Sequence, residues 1–136
     1  MKRTGLLVCC VLFSVIFVSA QPGAKIEFKE ELHEFGMIEE RAGSVEHRFV
    51  FVNEGTAPLI INDIRACCGV RVSDWSKQPV LPGREGFVIG VFDPKGRPGR
   101  FEKTITVISN AANEPSKTLL MRGEVDAELI QRPGAN

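Results

Sequence analysis

The stretch Val45-Glu46-His47-Arg48-Phe49-Val50-Phe51-Val52 decides the fold. Val45, Phe49 and Phe51 fall on its odd positions, while Glu46 and Arg48 face the other way. Successive side chains of a strand point to opposite faces, so this period of two describes a half-buried strand with a phenyl-rich inner side. His47 shares that inner side. Phe101, Ile105 and Val107 repeat the alternation, and Leu119, Met121, Gly123 and Val125 repeat it again. Leu59 to Ile64 and Phe87 to Phe92 are apolar on both faces, which fits a strand covered on both sides or an outer face that meets something. Lys25 to Phe28, Leu32 to Phe35 and Val70 to Ser73 are shorter candidates, and no window carries a helical period.

Turn chemistry separates these segments. Asn53-Glu54-Gly55-Thr56-Ala57-Pro58, Leu81-Pro82-Gly83-Arg84-Glu85-Gly86 and Asp93-Pro94-Lys95-Gly96-Arg97-Pro98-Gly99 each combine glycine, which reaches positive φ, with proline, which presets its own. About seven short strands with such turns between them predict an all-β, immunoglobulin-like antiparallel sandwich. The Cys, Trp and Cys spacing of antibody domains is absent, so Phe, Ile, Val and Leu have to hold the two sheets together. The predicted organisation is a signal peptide over 1–20, the sandwich over 21–126 and a fraying tail over 127–136.

The first twenty residues are set apart by composition. Met1-Lys2-Arg3 is a short basic start, Gly5 to Val18 is an apolar run, and Val18-Ser19-Ala20 presents compact residues to a signal peptidase. As a helix the run reaches only about 21 Å, short of a roughly 30 Å hydrocarbon core, so cleavage before Gln21 is expected rather than a lasting membrane span. Cys9 and Cys10 lie inside the run, which argues against a lipoprotein. The expected address is the periplasm, the cell envelope or the medium. The chain has 17 basic and 17 acidic residues, and losing Lys2 and Arg3 leaves it mildly acidic. A nucleic-acid binder needs a strongly basic surface to neutralise phosphates, so that class is excluded. A chain of 136 residues makes one domain around one core, with little room for separate cofactor and substrate domains.

Several segments in order carry a resemblance: His33-Glu34-Phe35-Gly36-Met37-Ile38, Val45 through Gly55, Pro58-Leu59-Ile60-Ile61, Trp75, Leu81-Pro82-Gly83, Phe92 through Gly99, Ser109-Asn110-Ala111 and Leu120-Met121-Arg122-Gly123-Glu124-Val125. The set resembles the exported bacterial family called domain of unknown function 1573. That family is similar to the ASH, major-sperm-protein and PapD-like sandwiches and carries no agreed activity. The resemblance therefore implies a fold and an address, and PapD-like relatives imply strand addition as a mode of recognition. The family usually shows Ser-Cys-Gly-Cys-Thr where this chain reads Ala66-Cys67-Cys68-Gly69-Val70. Val70 stands where the second cysteine belongs, so the role of that pair does not carry over.

Cys67 and Cys68 leave three readings open: structural thiols, a disulfide within or between chains, or metal ligands together with His33 or His47. A ring between neighbours is strained, because adjacent Cα atoms lie about 3.8 Å apart and a relaxed disulfide wants roughly 4.4 to 6.8 Å. Trp75 reads as a packing residue that plugs one end of the sandwich and covers the cysteine turn, or as a binding anchor. Residues 25–46 are net acidic, and the turn carrying Lys95, Arg97, Arg100 and Lys103 is net basic. These segments are ordinary solvated charge, or a surface on which Arg97 and Arg100 meet another copy or an anion. No nucleophile elbow, zinc-protease motif or phosphate loop is present, and no cofactor is expected. The function expected is an exported, non-catalytic binding or assembly module that meets an envelope protein or a second copy through strand edges and end loops. Phe87 to Phe92 is the candidate surface. The alternative is a thiol redox or metal-binding protein using Cys67 and Cys68.

Overall fold

The computed structural model describes residues 23–126. The signal-peptide and tail segments lie outside them. Eight strands form two four-stranded sheets: β1 (Ile26–Phe28), β2 (Leu32–Glu39), β3 (Val45–Asn53), β4 (Ile61–Ala66), β5 (Val70–Trp75), β6 (Glu85–Phe92), β7 (Gly99–Ser109) and β8 (Ser116–Asp126). The first sheet has the order β1-β3-β6-β5 and the second β2-β8-β7-β4. A 3-10 turn, Glu40–Ala42, links β2 to β3. No helix among the described residues is long and apolar enough to cross a membrane. The predicted strand over Leu59 to Ile64 starts two residues late, because Leu59 instead bridges Val80 and leaves Ile60 exposed.

One pairing departs from the antiparallel expectation. β1 runs antiparallel to β3, with Ile26 opposite Asn53, and the chain then crosses to the second sheet, where β2 runs parallel to β8. The parallel pair follows from the switch, since β1 and β2 are one strand path divided between two sheets and keep nearly one direction. The crossing residues Lys29, Glu30 and Glu31 are each tied down. Lys29 N–H donates to the Val50 carbonyl at 2.9 Å, and the Glu31 carbonyl accepts from Leu120 N–H at 2.8 Å. The Glu31 carboxylate pairs with Lys117 on β8.

The core lies between the sheets. Phe49 and Phe51 of β3, Val88 and Phe92 of β6, Ile105 and Val107 of β7, and Leu119 and Met121 of β8 are all buried in it. Phe92 stacks on Phe101 with ring centroids 4.0 Å apart. β6 explains why Phe87 to Phe92 looked apolar on both faces: its inner positions alternate Gly86, Val88, Gly90 and Phe92. A Cβ on Gly86 would lie 2.3 Å from the Phe51 ring, and one on Gly90 2.5 Å from Ile105. Gly86 admits the Phe51 ring from the neighbouring strand β3, and Gly90 admits Ile105 from the facing sheet.

Asn53 is the buried polar centre at one end of the sandwich. Its Nδ2 donates to the carbonyls of Ala57 and Val80, each at 2.8 Å, and its Oδ1 accepts from Gly55 N–H at 3.0 Å and Lys25 N–H at 3.3 Å. Asn113 acts as a substitute neighbour for β1, accepting from Ile26 N–H at 3.0 Å and donating to the Ile26 carbonyl at 2.9 Å. No buried side-chain nitrogen or oxygen among the described residues lacks a partner. Asn53→Ala removes both halves of this network and strands buried backbone groups, so it is expected to destabilise the fold by about 3 kcal/mol. Asn113→Ala, at an exposed position, is expected to destabilise by about 1 kcal/mol. Urea denaturation of the two variants checks the order; equal losses would remove Asn53 from its central place.

Candidate functional site

At the strand switch, Glu30 of the crossing reaches two histidines from different sheets. Its Oε1 lies 3.1 Å from His33 Nδ1 on β2, and its Oε2 lies 3.1 Å from His47 Nε2 on β3. An ionised carboxylate only accepts, so each ring presents an N–H to it. The rings stack with centroids 3.6 Å apart and 8° between their planes. Phe35 meets the His33 ring edge-on at 4.5 Å and Phe49 meets the His47 ring at 4.7 Å. Period two places both histidines here: each lies two residues from an inward phenylalanine of its own strand. Burial holds the His47 pKa below its ordinary 6.5, the nearby His33 lowers it further, and Glu30 opposes both through its charge and hydrogen bond.

The cysteines do not join this cluster. Cys67 follows β4, where its N–H donates to the Thr104 carbonyl at 3.2 Å and its sulfur accepts from Thr104 N–H at 3.3 Å. Thr104 pairs with Leu120 and Leu120 with Leu32, so three strand spacings, roughly 14 Å, separate Cys67 from β2 and His33. The shared metal site of Cys67 and Cys68 with His33 or His47 is therefore ruled out by topology. Both thiols stand free, Cys67 half-buried and Cys68 exposed.

The basic turn packs at the same end as the cysteines. The Arg97 side chain lies over Gly69, where a Cβ would come within 2.6 Å of its Nε, and Gly96 N–H donates to the Glu40 carboxylate at 2.7 Å. The acidic and basic segments thus meet within one chain. Arg100 is 91% exposed at its side chain and 4.0 Å from Glu124. Trp75 does not cover the cysteine turn. It ends β5, opposite Val88, about 16 Å along the strand from that turn, and packs half-buried against the core with the Lys77 ammonium 5.0 Å above its ring. A shallow depression beside it is lined by Pro79, Leu81 and Phe87.

β6 is a central strand paired on both sides, so a partner cannot add along Phe87 to Phe92. Two of its outward residues are still reachable. Phe87 and Ile89 are half-buried beside Val50 and Arg48 of β3, with the Arg48 guanidinium 3.8 Å above the Phe87 ring. Among the edges, β4 and β5 are interrupted by bulges and carry Asp63 and Asp74, whose carboxylates accept from Ile64 and Trp75 N–H, each at 2.9 Å. Bulges and charges discourage a further strand. β3 is open from Val45 to Phe49, because β1 stops opposite Phe51 and only the Lys29 N–H reaches Val50.

Residues 26–125 match the model of a family described as "Protein of unknown function (DUF1573)". Among curated proteins, none matches the sequence. The fold recurs in solved structures. A protein of unknown function from Porphyromonas gingivalis W83 aligns with TM-score 0.65 at 13% identity, over 82% of this chain and 51% of the other. The ASH / PapD-like domain 7 of human CEP192 aligns with TM-score 0.62 at 16% identity, over 93% and 97%. The VesB protease of Vibrio cholerae aligns with TM-score 0.58 at 16% identity, over 76% and 32%. This chain thus spans about half of the first of these proteins and about a third of the last.

Because the folded pKa of His47 is lowered, the unfolded chain binds more protons than the folded one between that value and 6.5, so stability rises with pH across the window and falls as the solution is acidified. In a chelator-containing buffer the urea midpoint is expected to drop from about pH 7.5 to about pH 5.5, above the ordinary carboxylate range near 4.3. His47→Gln is expected to flatten that slope. A midpoint that rises on acidification contradicts the assignment.

Proposed function

The chain belongs to the DUF1573 family, and from that premise we propose that it is an exported, non-catalytic binding or assembly module of the bacterial cell envelope. The basic start and apolar run of residues 1–20 support export. The family and the likeness to an ASH / PapD-like domain support a binding module over an enzyme. One observation carries the site of recognition: on the outer face of the first sheet, half-exposed Val50, Phe87 and Ile89 lie directly beside the open edge of β3. An extended segment of a partner protein pairing with Val45 to Arg48 gains backbone hydrogen bonds from the edge and sets alternate side chains against this apolar face. Arg48 over Phe87 supplies the kind of Arg and aromatic contact that dominates interface energetics.

A second reading keeps the exposed Cys68 as a redox thiol. It requires alkylation much faster than an ordinary free cysteine, and slow alkylation of both thiols removes it.

Photo-crosslinkers at Arg48 and Phe87, with Glu102 on the outer face of the second sheet as control, test the docking face in envelope extract. Crosslinks are expected at the first two positions. Phe87→Glu is expected to weaken capture of the crosslinked partner at least tenfold with little change in melting temperature. Crosslinks concentrated at Glu102, or capture unaffected by Phe87→Glu, contradict the proposal.

A further inference from the structure

We propose that Glu30, His33 and His47 form a binding site for a divalent transition-metal ion of the zinc class. The three side chains come from the crossing, β2 and β3, and their donor atoms all lie within 4.8 Å of one another. Bonds of about 2.0 to 2.2 Å to imidazole nitrogen and carboxylate oxygen place neighbouring donors about 3.0 to 3.6 Å apart around one ion. The two contacts of 3.1 Å from Glu30 to the ring nitrogens already match that spacing. Two imidazoles and one carboxylate form a borderline donor set suited to zinc and its neighbours in the first transition row. Magnesium and calcium prefer oxygen alone.

The surroundings are those of a reachable site on a rigid support. Phe35 and Phe49 wall the rings from the core side. Side-chain exposures of 46% for Glu30, 27% for His33 and 20% for His47 leave the cluster open to solvent, so water or an outside ligand can complete the coordination. To bind, each ring carries its N–H on the nitrogen away from Glu30 and offers the lone pair of the nitrogen facing it to the ion. The rings, now 8° from parallel, must tilt toward a common point, so the stack is exchanged for two metal–nitrogen bonds. An ion held there ties the crossing to β2 and β3, and with them the two sheets.

The test is thermal melting of the full chain after chelator treatment, with zinc or magnesium added back, and the visible absorption of cobalt(II) as a second readout. Zinc is expected to raise the melting temperature with the logarithm of its free concentration once that exceeds the dissociation constant, and magnesium to leave it unchanged. Glu30→Gln and His33→Ala are expected to weaken zinc binding by more than the roughly tenfold that loss of an outer hydrogen bond costs a metal site, and to abolish the cobalt bands. A Cys67→Ser, Cys68→Ser double variant is expected to keep both signals. If His33→Ala does not fold, Glu30→Gln alone decides. No zinc shift up to about 1 mM, a dissociation constant too weak for a specific site, overturns the proposal. So does a shift that survives Glu30→Gln, or one lost only with the cysteines.

Discussion

One chain segment has to serve as an edge strand in both sheets, and much of the molecule follows from where it crosses. Lys29 makes the last bond to the first sheet and Glu31 the first to the second. Between them Glu30 spans the gap by holding His33 and His47 together. The crossing explains the parallel pairing of β2 with β8, and it explains why β3 is left open from Val45 to Phe49. The same event therefore creates the titratable cluster and the free edge beside the apolar face. With no disulfide among the described cysteines, a core of interlocking phenylalanine and aliphatic side chains holds the layers, and Asn53 satisfies the backbone where the end loops converge.

Where structure arises from local alternation, the sequence was legible. Phe49 and Phe51 point inward and Arg48 outward, as a period of two requires, and β7 and β8 keep the same parity. The doubly apolar β6 was harder. Its hydrophobicity is visible, but that Gly86 and Gly90 make room for Phe51 and Ile105 depends on the opposing strands. The switch was illegible for a similar reason. Lys29-Glu30-Glu31 is only the gap between two short candidate strands, and nothing in three charged residues says that the strand leaving them joins the other sheet.

The site divides along the same line. That His47 faces inward could be read from Phe49 two residues later, but its stacking on His33 depends on the register between sheets, which no local pattern encodes. Adjacent cysteines attract notice as a possible pair, yet the fold places their turn across the second sheet from the histidines. Arg97, which the sequence leaves open as solvated charge or an anion contact, lies over Gly69, where the glycine leaves a space beside the long side chain.

The central claim is that Glu30 couples the two sheets at their shared strand, and native-state hydrogen exchange on Glu30→Gln measures it most directly. Faster exchange is expected at amides of both β2 and the Val45 to Val50 part of β3, with the amides of β7 facing β8 unchanged. Protection that stays at the wild-type level in β2 and β3, or that falls equally in every strand, would contradict it.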